Sequence, residues 1–412
     1  MKYRILSRQI LKALKTFPAI IVTGPRQSGK TTLLKKILGK THTYVNLENP
    51  DVRFRANADP VNFLDQLSKP VILDEVQYVP ELLSYIKTLI DDNRKAGRWV
   101  LTGSQNFALM QKVSESLAGR AAILSLLPFS FSERQNAGQK SKDIAWLLRH
   151  MSDSDIWQKP RRKNLADLSS VILRGNYPEI ASNSRVDKNL WCGSYISTYL
   201  ERDIRNLAQV GDLNQFERFV RLCASRTGQI LNISELARGI GVSVPTAKRW
   251  LSLLETGYQI FLLYPYYKNI GKRLVKSPKL YFNDTGLAAY LLGIENKNTL
   301  INSPHFGNLF ETLVVTDFWK RFLHNGQMPS MYYLKTRDNL EIDLALESAG
   351  YLHFLEIKSA ATITAKHAAS LVRGKKDLKT LVASCSIISQ AKENFSPAAG
   401  VKNFYWQDIL MA

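Results

Sequence analysis

The chain has 412 residues, 45% of them hydrophobic, enough to bury several cores and to predict about two to four domains. Its 56 Lys and Arg against 35 Asp and Glu leave a formal charge of +21, which suits an anionic partner such as nucleic acid, or serves solubility alone. Cys192, Cys223 and Cys385 are odd in number and far apart, which excludes a disulfide framework and a zinc site.

Residues 1–17 are basic and helix-patterned, carrying Ile5, Ile10, Leu11 and Leu14. The apolar run that follows is broken by Gly24 and is too short for a signal-peptide core or a membrane span, so the expectation is a cytoplasmic chain with no membrane partner. Ala19-Ile20-Ile21-Val22 reads instead as a buried strand leading into Gly24-Pro25-Arg26-Gln27-Ser28-Gly29-Lys30-Thr31-Thr32. Gly24 and Gly29 permit backbone geometry that turns successive N–H groups toward a phosphate at a helix N-terminus. Lys30 would reach the β- and γ-phosphates, and Thr31 would place its hydroxyl on Mg²⁺. The plain alternative is a glycine turn capping a helix.

After the loop helix, Thr43–Leu47 predicts a second strand and Asp59–Leu67 a helix. Val71-Ile72-Leu73 ends in Asp74-Glu75, two acids at the edge of a parallel sheet where ligands gather. Asp74 would hold Mg²⁺ through water, and Glu75 would orient and deprotonate an attacking water. Trp99–Thr102 forms another apolar strand followed by Gly103-Ser104-Gln105-Asn106, where Ser104 is the preferred γ-phosphate sensor. Ile123–Leu126 makes a fifth strand, so strands and helices alternate as in an α/β parallel sheet.

These runs, together with Tyr3-Arg4, Leu73-Asp74-Glu75-Val76-Gln77, Leu101-Thr102-Gly103-Ser104 and Leu127-Pro128-Phe129-Ser130, resemble prokaryotic AAA-type ATPases of one uncharacterised family. Proteins of that family carry a C-terminal domain of unknown function, similar to a winged helix joined to a nuclease-like fold. The resemblance covers nearly the whole chain and implies ATP as ligand. In AAA-type enzymes an arginine at the end of the helix before the fifth strand reaches a neighbouring subunit's γ-phosphate. Arg120 occupies that place, which implies a homo-oligomer; its alternative role is a cation at a helix C-terminus.

Ser132 to Lys163 is polar, with helical pieces around Ile144–Leu148 and a charged linker over 158–163. Leu173-Arg174-Gly175-Asn176-Tyr177-Pro178-Glu179 and Tyr199–Ile204 resemble that family's helical lid, with Arg174 and Arg202 both candidates for a lid arginine. Ile233–Leu251 is a helix-turn-helix pattern in which Gly241 breaks the first helix and Ser243 caps the second. Ala247, Trp250, Leu251 and Leu254 face inward, leaving Thr246, Lys248 and Arg249 outside for double-stranded DNA. A hairpin wing would add Lys268, Lys272, Arg273, Lys276 and Lys279 as phosphate contacts.

In the last hundred residues an apolar helix bears Glu311, and three strands cover Met331–Leu334, Glu341–Leu346 and Leu352–Lys358. Glu341 and Asp343 share one strand face, and Glu356 and Lys358 another. An acid on one strand with Glu-x-Lys on the next is the arrangement of PD-(D/E)XK nucleases. There Asp343 and Glu356 would bind Mg²⁺, Lys358 would stabilise the attacking hydroxide or the charged transition state, and Glu311 would support the metal from the helix. The text pattern also matches at Asp284 with Glu295 and Lys297. Lys366 to Lys379 is basic and suits a phosphate backbone.

The expected architecture is an AAA-type P-loop core (1–132), a helical lid and linker (133–208), a winged helix (209–300) and a nuclease-like domain (301–412). The expected function is ATP hydrolysis coupled to DNA binding. Two alternatives stand beside it: a nucleotide-switched adaptor that docks a protein partner and cuts nothing, and an ATP-gated nuclease.

Overall fold

The computed structural model describes residues 2–67, 70–103, 116–153, 166–199, 213–267, 277–336, 338 and 340–412. Five short strands, β1 (Ala19–Thr23), β2 (Thr43–Asn46), β3 (Val71–Asp74), β4 (Trp99–Thr102) and β5 (Ala121–Ser125), form one wholly parallel sheet in the order β2-β3-β4-β1-β5. The alternation of a strand decides which face each residue serves. Ile20, Val22, Ile72 and Val100 pack under α1 (Leu6–Ala13) and α2 (Lys30–Leu38). Ala19, Ile21, Leu73 and Leu101 pack against the opposite layer of α3 (Pro50–Ala58), α4 (Pro60–Asp65) and α5 (Leu82–Asp92). The predicted strands all form, so every loop leaving the C-terminal ends of β1, β3 and β4 meets along one edge.

Helices α6 (Phe131–Arg134), α7 (Ile144–Asp153), α8 (Leu168–Arg174), α9 (Pro178–Ser182) and α10 (Lys188–Tyr199) follow. Next come α11 (Leu213–Ser225), β6 (Gln229–Ile230), α12 (Ile233–Ile240), α13 (Val244–Thr256), β7 (Ile260–Leu263) and β8 (Lys279–Phe282), the strands pairing antiparallel in the order β6-β8-β7. α12 stops at Gly241, whose φ of +75° favours glycine, and the Ser243 hydroxyl accepts the Thr246 N–H to start α13. Ala247, Trp250, Leu251 and Leu254 are buried while Lys248 and Arg249 are exposed, as their spacing predicts. Lys268, Lys272, Arg273 and Lys276 lie outside the described residues. Lys279 does not belong with them: it is 2% exposed on β8, held inside by pairing on both sides of that strand, and is not a DNA contact.

The chain closes with α14 (Thr285–Leu291), α15 (Lys297–Ile301), the long α16 (Phe306–His324), and a six-stranded mixed sheet. Its strands are β9 (Met331–Lys335), β10 (Glu341–Ser348), β11 (Tyr351–Lys358), β12 (Val382–Ser389), β13 (Phe395–Ala398) and β14 (Val401–Tyr405), in the order β13-β14-β12-β11-β10-β9. β9, β10 and β11 form an antiparallel meander, and α17 (Ala369–Leu378) carries the crossover to β12, parallel to β11. A single apolar core runs from Phe131 through α13 and α16 to Leu410 in α18 (Trp406–Met411), with Trp406 packed against Phe131 at 5.0 Å between ring centres. Among the described residues no helix is long and apolar enough to cross a membrane.

Candidate nucleotide site and a second acidic cluster

The loop after β1 is shaped by backbone requirements. Gly24 has φ +143°, and a Cβ there would lie 2.1 Å from the Leu126 carbonyl oxygen, so only glycine lets the loop pass β5 so closely. Gly29, at φ +93°, turns the chain into α2. Lys30 Nζ donates to the carbonyls of Gly24 and Pro25 at 3.0 Å each, inside its own loop. Arg4 Nη1 donates to the carbonyl of the buried Ser28 at 2.8 Å, gripping the loop from below.

At the end of β3, Asp74 is 3% exposed and collects three hydroxyls. Thr31 Oγ1 donates to its Oδ2 at 2.8 Å and Tyr44 O–H to the same oxygen at 2.6 Å, while the Thr102 hydroxyl bonds Oδ1. Burial and the bond to Asp74 hold the Tyr44 phenol well above its ordinary pKa, so it stays a donor. Glu75 takes the left-handed conformation at φ +58°, with its N–H on Thr102 Oγ1 at 3.1 Å and its carboxylate receiving the Gln77 amide. A pocket of about 380 Å³ opens above, lined by Lys30, Thr31, Thr32 and Glu75 on one side and by Tyr195 and Tyr199 of α10 on the other. Arg26, Gln27 and Glu48 also line it.

Other expected members lie elsewhere. Ser104, Gln105, Asn106 and Arg202 fall outside the described residues, as does the charged linker. Arg174 is consumed by the carbonyls of Ile180, Asn183 and Val186, at 2.9–3.2 Å, at the end of α9 and the turn after it. Arg120 sits before β5, at the sheet edge opposite the loop, and its guanidinium grips Asp91 at 2.6 and 2.8 Å. Within this chain it is no part of the pocket; a finger role needs a second copy.

Two links that sequence reasoning missed tie the pocket to the rest of the chain. Tyr258, two residues beyond α13, places its hydroxyl 2.9 Å from both Thr23 Oγ1 and Ser125 Oγ, at the root of the loop. On the other side Arg4 Nε lies 3.2 Å from Glu133 Oε1, and His324 Nδ1, at the end of α16, lies 3.3 Å from Oε2. Burial alone would raise the Glu133 pKa, but Arg4 and His324 outweigh it and hold the carboxyl well below its usual range. The only sequence signal was Tyr3-Arg4 among the family-like motifs.

A second cluster gathers where β8, α16, β10 and β11 meet. Lys279 Nζ lies 3.4 Å from Glu311 Oε1, 3.0 Å from Glu341 Oε1 and 3.8 Å from Asp343 Oδ1. Tyr281 O–H donates to Glu311 Oε1 at 2.5 Å. The β9–β10 register shifts between Ile342 and Ala345, and Asp343 at that break accepts the Ile357 N–H at 2.9 Å and faces Lys358 Nζ at 3.5 Å. Lys358 also pairs with Glu356 at 2.7 Å. Burial opposes the Lys279 charge, but Glu311, Asp343 and Glu341 outweigh burial and raise its pKa. Burial and Asp343 push Glu311 up to about 7 and Glu356 up to about 8. The four residues expected from sequence therefore lie in one cluster, Glu356 and Lys358 joined to it through Asp343, and Glu311 and Asp343 also face a lysine that was not expected there. The other text match does not form one: Asp284 caps α14, and Lys297 pairs with Asp167 on the surface.

A parallel sheet with a glycine loop after β1 and an Asp-Glu pair ending the strand two places away defines a P-loop nucleotide-binding core of the AAA type. Residues 16–135 match the AAA domain family, residues 165–298 a domain of unknown function (DUF8612) and residues 306–406 another (DUF4143). The chain is 32% identical over 362 residues to an uncharacterised protein of Mycobacterium tuberculosis and to one of Mycobacterium bovis, covering 87% of this chain and 74% of each of those. It belongs with them to an uncharacterised family of AAA-type ATPases. Among solved structures it is similar to the Walker-type ATPase paby2304 of Pyrococcus abyssi, at 16% identity and TM-score 0.41, over 69% of this chain and 94% of that one. It is also similar to the RuvB Holliday junction branch migration motor of Thermotoga maritima, at 16% identity and TM-score 0.29, over 62% and 88%.

Proposed function

We propose that this chain hydrolyses ATP with Mg²⁺ and relays its nucleotide state to a DNA contact on α13. The observation that carries the first half is the 2.8 Å bond between Thr31 and Asp74 beside Lys30 and Glu75. Hydroxyl and carboxylate oxygens are the donors a hard cation takes, so Thr31 and Asp74 fit Mg²⁺, which when bound would offset charge on the phosphates. Lys30 would leave its loop carbonyls for the phosphates. Glu75, released by Gln77, would align the attacking water and accept its proton. Tyr195 and Tyr199 close the pocket from the lid side.

The second half rests on Tyr258. Only Gly257 separates it from α13, so a shift of the loop root on exchanging ATP for ADP is delivered to the helix that displays Lys248 and Arg249. The element order of 213–282, helix, strand, two helices and two strands, supports reading this unit as a winged helix. The order α16-β9-β10-β11-α17-β12, with acids on α16, β10 and β11, supports a nuclease-like fold for the last module. Turnover of the purified chain with Mg²⁺, with and without double-stranded DNA, tests the reading. Stimulation by DNA that vanishes in Glu75→Gln is expected. Turnover indifferent to DNA would favour a nucleotide-switched adaptor.

A further inference from the structure

We propose that Lys279 is a built-in cation for the acidic cluster of the C-terminal sheet, standing where a divalent metal would bind and keeping metal out while it joins β8 to α16 and β10. The residues present do not fit a metal ion in this arrangement. Mg²⁺ or Mn²⁺ needs several oxygens drawn to about 2.0–2.2 Å of one point, mostly carboxylates and waters. Here Glu311, Glu341 and Asp343 each already face one ammonium at 3.0–3.8 Å. Among the described residues no group of three His, Cys, Asp or Glu is disposed to hold a metal ion.

Charge leads to the same conclusion. Four carboxylates, Glu311, Glu341, Asp343 and Glu356, meet three ammonium groups, Lys279, Lys335 and Lys358. Three ammonium groups already face these carboxylates before any metal arrives, so a divalent ion would have to enter beside a buried positive charge. Lys279 cannot swing aside as a surface lysine does, because its side chain is 3% exposed and its backbone is paired with β6 and β7. Tyr281, two residues on and on the same strand face, donates to Glu311 and holds the same junction. Lys279 thus links β8 to carboxylates of the following module, whatever the pocket at the P-loop does.

Mn²⁺ binding to the nucleotide-free full-length chain, followed by the electron paramagnetic resonance signal of free Mn²⁺, tests this. The expected result is that wild type and Asp343→Asn bind the same amount of Mn²⁺. Lys279→Met is expected to gain one further Mn²⁺ per chain, lost again in Lys279→Met/Asp343→Asn, and to melt at a higher temperature when Mn²⁺ is added. Wild-type binding that falls by one Mn²⁺ in Asp343→Asn overturns the proposal without any change at Lys279. So does a folded Lys279→Met that gains no Mn²⁺. Lys279→Gln, which keeps a polar group in the cluster, replaces the Met variant if that one does not fold.

Discussion

Tyr258 and Thr23, separated by 235 residues in the chain, meet through hydroxyls 2.9 Å apart at the last residue before the phosphate loop. Burial raises the Tyr258 pKa, so the phenol keeps its proton. Tyr258→Phe removes one shared hydroxyl, worth about 1–2 kcal/mol of stability. ATP should bind it within a few-fold of wild type. The difference in DNA affinity between ATP-bound and ADP-bound protein should collapse, which fluorescence anisotropy with a labelled duplex reads directly.

Glu75 and Gln77 separate chemistry from restraint. Glu75→Gln should lose about 10²–10⁴-fold in turnover while keeping nucleotide affinity, because a lost general base affects the transition state more than binding. Gln77→Ala removes the amide that holds the Glu75 carboxylate and should raise basal turnover without changing KM. Steady-state ATPase kinetics on both variants decide this, and a fall in turnover with Gln77→Ala would make Gln77 a support rather than a restraint.

The Arg4–Glu133–His324 cluster sets an acid limit on the fold. Glu133 has a folded pKa depressed below that of the unfolded chain, about 4.3 for an ordinary glutamate. Its contribution is therefore present above that value and lost as pH falls through the folded pKa. Glu133→Gln should cost about 3–5 kcal/mol near pH 7, since it leaves Arg4 buried without its counter-ion. Denaturant unfolding repeated at falling pH should show the two proteins converging below about pH 4.

Lys248 and Arg249 are exposed on α13 and carry no part of its core packing. Each alanine substitution should leave the melting temperature unchanged. Each should weaken DNA binding and lower the salt dependence of its logarithm by about one. If affinity and salt slope both stay at wild-type values, α13 does not face DNA.

What the sequence made legible was local. The loop glycines, the acids closing β3 and the Gly241–Ser243 turn announce themselves because each requirement is met within a few residues. Lys279 was misread because a lysine ending a basic run looks solvated, and only its place between β6 and β7, against α16, buries it. The roles of Tyr44 and Tyr258 were silent for the same reason, and Arg4 showed only as part of a motif without a role: their partners lie on other strands or in another part of the chain. Arg174 drew notice as an arginine near a lid, yet backbone carbonyls, which no side-chain pattern reveals, claim it.

The unbroken core from Phe131 to Leu410 limits how such proteins diversify. Trp250 on α13, Phe310 on α16 and Trp406 on α18 belong to one continuous apolar mass, so each part is shaped to fit the next. A helix-turn-helix unit taken from a relative would arrive with the wrong surface beneath it. Such chains should therefore diverge by changes at exposed positions such as 248 and 249, or by inheriting everything after the P-loop core as one block, and not by shuffling the individual parts.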